Sequence, residues 1–247
     1  MTDTTAEGHE PTQASPAVDG LPPELRSRMA LALDVDDLVH ALRLARQLSP
    51  WFGVAKVGLE LYTAAGPDAV GTMLDNGFDV FLDMKLYDIP TTVHKAAGVC
   101  GALGAKYLTI HAQGGGAMLR AGVDGFHDGA RNAGLVEPTA VAITVLTSDA
   151  DAPDHIVPNR LRLAVEAGCK AIVCSGQDLK TVRELSPRMQ RVVPGIRAAG
   201  AERHDQPLAV TPGEALGEGA DLLVVGRAVT LADDPPAAAA ALFAAIS

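Results

Sequence analysis

The feature that most constrains this chain is a pattern that repeats eight times: a short apolar run, then an Ala- and Leu-rich amphipathic segment. Short apolar runs bounded by turn residues read as strands, and the 3.6-period segments between them read as helices. The strands are expected at 29–35, 52–57, 79–83, 107–111, 140–146, 171–174, 191–193 and 222–225. Asp36 or Asp37 can cap a helix that reaches Leu48 and ends at Ser49-Pro50. Further helices are expected over 59–76 before Gly77, from Pro90 to 103, over 214–219 and over 235–246. Strands alternating with helices imply parallel β-α units. Eight of them in 247 residues favour an α/β fold of one domain, a (βα)8 TIM barrel. An open doubly wound sheet is the other architecture the pattern allows.

No linker divides the chain after residue 22, so the barrel is expected to occupy 23–247. Residues 1–22 open with "MTDTTAEGHEPTQASPAVDG" and read as a flexible tail. That stretch lacks the basic start and apolar core of a secretory signal, and no run in the chain is long enough to span a membrane. Aromatic residues make up only 4%, so the core must be built from Ala, Val, Leu and Ile. A net charge of −10 disfavours nucleic acid and anionic membrane surfaces as partners. A small anionic ligand stays open, because a local cationic cluster outweighs a distant field. Cys100, Cys169 and Cys174 have neither metal-ligand spacing nor a disulfide framework, which fits a reduced, cytoplasmic protein.

Barrels of this kind place their sites at the C-terminal ends of the strands. Here those ends carry Asp34, Lys56, then Asp83 and Lys85, then His111 and Gln113, then Thr147. The seventh strand runs into "PGIR" at 194–197, and the eighth ends in Gly226-Arg227. Asp83 and Lys85 are two apart, so on a strand they share a face. Asp34 and Lys56 reach the same mouth from the two preceding strands. A structural ion-pair ring is one explanation, but buried charges are rarely the best route to stability. Four charges at three consecutive strand ends favour function.

A lysine held between carboxylates keeps its proton. It can deliver that proton to a carbanion as it forms, while the neighbouring carboxylate repels an anionic substrate group and favours its loss as a neutral molecule. Decarboxylation fits both features. A Schiff-base lysine needs a neutral amine and fits less well. At the eighth strand, Gly226 allows close backbone approach and Arg227 offers a guanidinium fork, as a phosphate site requires. The segment 196–207, "IRAAGAERHDQP", reads as a flap over the mouth. The glycines at 114–116 lack the full dinucleotide fingerprint and read as loop and helix start. His111 reads as an orienting hydrogen-bond group. His40, His94, His127, His155 and His204 form no metal spacing, so no metal site is expected.

The stretch "LDMKLYDIPTTV" closely resembles the signature of the orotidine 5′-phosphate decarboxylase family. Supporting matches are "LALDVDD" at 31–37, "AKVGLELYTAAGP" at 55–67, "TIHAQGG" at 109–115, "AITVLTS" at 142–148, "PGIR" at 194–197 and "VVGRAVT" at 224–230. The resemblance implies a carboxy-lyase of UMP biosynthesis that decarboxylates orotidine 5′-monophosphate without metal or organic cofactor. It implies Lys85 as proton donor to C6 of the pyrimidine and Asp83 beside the departing carboxylate. Lys56 would hold the ribose and the charge network, and Asp34 a ribose hydroxyl. Thr147 would meet the base and Pro194 line the pocket. Arg197, Gln206, Gly226 and Arg227 would bind substrate, the last three at the 5′-phosphate. Asp88 and Thr92 would cross a homodimer interface into the partner's site. The chain departs from the pattern at Thr91, where many members have Asn, and at Pro207-Leu208, where a basic residue is usual. Two other readings remain. One is a metal-dependent sugar-phosphate decarboxylase or synthase of the same superfamily, which shares Asp83 and Lys85. The other is a phosphate-ligand binder without catalysis.

Overall fold

The eight strands pair in chain order as one closed parallel barrel, with β1 (Met29–Ala32) hydrogen-bonded to both β2 (Val54–Gly58) and β8 (Leu222–Val225). Between them lie β3 (Asp79–Leu86), β4 (Tyr107–His111), β5 (Thr139–Ile143), β6 (Ala171–Val173) and β7 (Gln190–Val193). The β1–β8 pairing excludes the open sheet. The computed structural model describes residues 20–146, 153, 155–198 and 210–246. Residues 1–19 of the expected tail, most of the expected flap, Thr147 and Gln206 therefore lie outside the described residues. Leu21 belongs to the core, and its N–H donates to the Pro50 carbonyl at 2.9 Å. Among the described residues no helix is long and apolar enough to cross a membrane.

Alternation along each strand builds two apolar layers. Ala30, Val54, Phe81, Tyr107, Val141 and Val192 point into the barrel, where Phe81 and Tyr107 meet edge to face at 5.7 Å. Their neighbours Leu31, Ala55, Leu82, Leu108, Ala142 and Val193 pack outward beneath the helices. Below the barrel, Arg28 donates to the carbonyls of Ala220 and Asp221, and the Asp221 carboxylate accepts from the backbone and side chain of Arg191. These bonds tie β7, β8 and β1 together at the N-terminal rim.

Several elements differ from expectation for local reasons. The expected helix over 59–76 is two, Leu59–Ala65 and Pro67–Asp75. Gly66 takes a φ of 58° between them, and Pro67 has no N–H with which to continue the first. β5 stops at Ile143 because the next carbonyl, that of Thr144, accepts from the Arg160 guanidinium instead of a strand. The helix near 214 begins earlier, at Pro212–Gly217, where Thr211 and Glu214 form a capping box. β3 runs past Asp83 to Leu86, and this extension shapes the site.

The helices Pro90–Ala102 and Gly115–Asn132 cross backbone to backbone. A Cβ at Gly129 would collide with the Gly98 carbonyl, and one at Gly125 with that of His94. Gly129→Ala is therefore expected to destabilise the fold by roughly 1–3 kcal/mol, as overpacking does. Gly71 is the control, being exposed on the helix Pro67–Asp75 with nothing within 4 Å of where a Cβ would sit. Gly71→Ala should stabilise by about 0.5–1 kcal/mol. Urea midpoints of the two variants check this, and a Gly129→Ala midpoint at or above wild type would contradict so close a crossing.

Candidate active site

Two side chains from β2 and the end of β1 begin the site. Lys56 follows Val54 on the inward face of β2, so the strand's period carries its ammonium up into the barrel mouth. It is only 9% exposed. Its Nζ donates to Asp34 Oδ1 at 3.0 Å and stands 3.6 Å from Asp83 Oδ2. Gly58 makes room for this pair, since a Cβ there would lie 3.0 Å from Asp34 Oδ1 and 3.2 Å from Lys56 Nζ.

β3 supplies the other two charges through an irregular backbone. Its register with β4 shifts between Leu82 and Leu86. Lys85 sits inside that bulge at φ 47°, and among the described residues it alone of the non-glycines has positive φ. A left-handed L-residue costs roughly 1 kcal/mol or more, and such strain collects at functional sites. The bulge re-aims the lysine. Its Nζ donates to Asp83 Oδ2 at 2.8 Å. Its backbone N–H donates to Thr109 Oγ1 at 2.7 Å, and Thr109 in turn donates to Asp83 Oδ1 at 3.0 Å.

Asp83 thus lies between two ammonium groups. Burial alone would raise its carboxyl pKa, but the charges of Lys56 and Lys85 and the hydrogen bonds from Lys85 and Thr109 outweigh burial and hold it below the usual aspartate range. Farther round the mouth, burial pushes the His111 imidazole down, and the nearby Arg160 and Lys85 charges push it further. His111 Nδ1 accepts from the Gln113 N–H and caps the turn Ala112–Gly114, an orienting role. The glycine run then enters the helix Gly115–Asn132.

One cavity of about 300 Å³ opens at this end of the barrel. Asp34, Lys56, Asp83 and Lys85 form one wall, and Ile143, Val145, Val173 and Val192 an apolar part. Pro194, Arg197, Gly226 and Arg227 line it from the ends of β7 and β8. Arg197 is buried, and its neighbour Ile196 forms a parallel bridge with Val210. The structure therefore brings eight of the expected site residues together. Asp88 and Thr92 do not join them: both are exposed beyond the end of β3, and Asp88 Oδ1 accepts from the Ile89 N–H. Thr109 and Gly58 escaped the reading of the sequence. A hydroxyl at the centre of the inward face of "YLTIH" was the available sign for Thr109. Gly58 carried none beyond its place after Lys56. Among the described residues no group of three or more His, Cys, Asp or Glu could hold a metal ion.

A closed parallel barrel whose mouth interleaves two lysines with two aspartates, across from arginines, defines a (βα)8-barrel protein built to bind a small anion and stabilise developing negative charge. The model of the orotidine 5′-phosphate decarboxylase / HUMPS family matches residues 27–242, and the chain belongs to that family. Over 233 residues it is 42% identical to the orotidine 5′-phosphate decarboxylase of Moorella thermoacetica, spanning 90% of this chain and 92% of that one. The Anaeromyxobacter dehalogenans protein of the same name is 45% identical over 230 residues, 89% of this chain and 98% of its own. The crystal structure of orotidine 5′-phosphate decarboxylase from Lactobacillus acidophilus superposes with a TM-score of 0.74 at 32% identity, covering 87% of this chain and 96% of that one.

The depressed Asp83 carboxyl makes a stability prediction with a definite sign. Its folded pKa lies below its unfolded value of about 3.9, so its contribution is present above that value and is lost as pH falls toward the folded one. Denaturant midpoints of the wild type should fall more steeply with acid, between about pH 5 and 3, than those of Asp83→Asn. Equal slopes would contradict the assigned environment.

Proposed function

We propose that this chain converts orotidine 5′-monophosphate to UMP and CO2, the carboxy-lyase step that completes UMP in pyrimidine biosynthesis. The observation that carries the reading is the Lys56–Asp83–Lys85 array on one wall of the cavity. Asp83 stays ionised at neutral pH, so a substrate carboxylate placed beside it is repelled. The C6–carboxylate bond breaks, the electron pair stays on C6, and CO2 leaves. Lys85 delivers an Nζ proton to C6 and is reprotonated from water. The ammonium groups are already fixed before charge develops, so little reorganisation is needed. The reaction so written draws on no metal or organic cofactor.

The rest of the substrate is assigned by position. Lys56 and Asp34 take the ribose, and Pro194 lines the pocket. Gly226 and Arg227 take the phosphate end, where a guanidinium group suits phosphate oxygens, and Arg197 binds substrate from the end of β7. Thr147 would meet the base and Gln206 the phosphate, on segments outside the described residues. Phosphate contacts far from C6 can organise the reacting end. We assign the protein to the cytoplasm, a reading supported by its three buried, unbridged cysteines.

A homodimer with shared sites belongs to the same proposal. Asp88 and Thr92 are exposed, as are Tyr87 and Ile89 on either side of Asp88, two large side chains that a second copy would cover. In the dimer Asp88 and Thr92 reach the partner's site.

Two measurements test this. Purified protein should convert orotidine 5′-monophosphate to UMP in EDTA-containing buffer, and Lys85→Ala should not. A folded wild type that converts none, or that needs magnesium, would overturn the assignment. Separately, an equimolar mixture of Asp88→Ala and Lys85→Ala that has exchanged subunits should regain about a quarter of wild-type activity, since half the dimers are hybrids with one intact site. No recovery after demonstrated exchange would contradict the shared site.

A further inference from the structure

Thr109 lies at the centre of β4, fully buried, and its side chain makes two hydrogen bonds, both to the charged stretch of β3. Where the β3–β4 register breaks, the Lys85 N–H donates to Thr109 Oγ1. A buried backbone N–H left without a partner is strongly unfavourable, so this bond helps make the left-handed turn at Lys85 tolerable. The same oxygen carries one hydrogen, and it points at Asp83 Oδ1. A single hydroxyl therefore fixes the backbone of the lysine and the rotamer of the carboxylate together. We propose that Thr109 is a positioning residue for the decarboxylation, holding Lys85 and Asp83 in the arrangement from which the proton is delivered. The inference rests on the reading above, in which Lys85 protonates C6.

The chemistry of the position separates this role from plain packing. Valine has nearly the same shape as threonine but can neither accept from the Lys85 N–H nor donate to Asp83. Serine can do both. Alanine, made alongside, ensures that a branched misfit does not decide the outcome. Asp83 also faces Lys56 from β2 and Lys85 from its own strand; Asp34 acts on it through Lys56, and His111 stands near Lys85. These groups remain in every variant, so a change in titration reports the lost hydroxyl.

The test measures kcat, KM for orotidine 5′-monophosphate, UMP affinity and the pH profile for Thr109→Val, Thr109→Ala and Thr109→Ser beside wild type. Val and Ala should lose about 100-fold in kcat, the scale set by a small misplacement of a reacting group. KM and UMP affinity should stay within about threefold, because ground-state binding does not use the hydroxyl. Ser should recover most of the lost kcat. In Val the acid limb should move to higher pH, since Asp83 loses a donor that favours its charged form. Wild-type kcat in Val, proportional loss of kcat and UMP affinity, or a Ser variant as impaired as Val would overturn the positioning role alone. A wild type without decarboxylase activity would overturn the reaction itself as well.

Discussion

The site depends on one carboxylate held between two ammonium groups. Asp83 Oδ2 is 2.8 Å from Lys85 Nζ and 3.6 Å from Lys56 Nζ, and its other oxygen accepts from Thr109. Such an array is a poor way to gain stability, because desolvating several charges offsets much of their attraction. It is a good way to keep charges where a transition state needs them. The barrel supplies the means. Parallel strands deliver Lys56, Asp83 and Thr109 to one mouth from three neighbouring elements, and the bulge in β3 turns Lys85 toward them. The strain at Lys85 and the missing side chain at Gly58 both make sense as concessions to that geometry.

The barrel was legible because its pattern is redundant. Eight apolar runs at regular spacing leave few topologies, and even the weak run at β7 falls into place once its neighbours pair. The charged wall was legible for a related reason: side chains two apart on a strand share a face, so Asp83 and Lys85 could be placed together from spacing alone. The two side chains do meet, at 2.8 Å, although the bulge between Leu82 and Leu86 breaks the regular alternation that the spacing assumes. Nothing in "LDMKLY" announces a left-handed lysine, since the conformation is imposed by what β4 offers opposite it.

What sequence hid was mostly long-range and local at once. The break at Gly66-Pro67 was written in the two residues best known for ending helices, yet the apolar period runs across it. Thr109 is a single hydroxyl in an apolar strand, and its meaning comes only from its distances to Lys85 and Asp83. The arginine side of the cavity was easier to name than to join, because Arg197 and Arg227 follow the neighbouring strands β7 and β8, which come beside the charged wall only through the β1–β8 closure of the barrel. Only resemblance gives Asp88 and Thr92 a role, and one chain by itself leaves both exposed.

The central claim is that an ammonium group at position 85, beside Asp83, carries the reaction, and it can be tested by rebuilding that group chemically. Cys100, Cys169 and Cys174 are buried, and burial pushes their thiols up to about 11, 12 and 12 respectively, so they should resist alkylation in the folded protein. In Lys85→Cys the new thiol faces the open mouth. Aminoethylation of that variant restores a lysine-like ammonium, whereas carbamidomethylation adds a neutral group of similar size. The account predicts that the Cys variant is inactive on orotidine 5′-monophosphate, that aminoethylation restores turnover, and that carbamidomethylation does not. Turnover by the unmodified variant at the wild-type rate, or equal recovery with the neutral adduct, would contradict it.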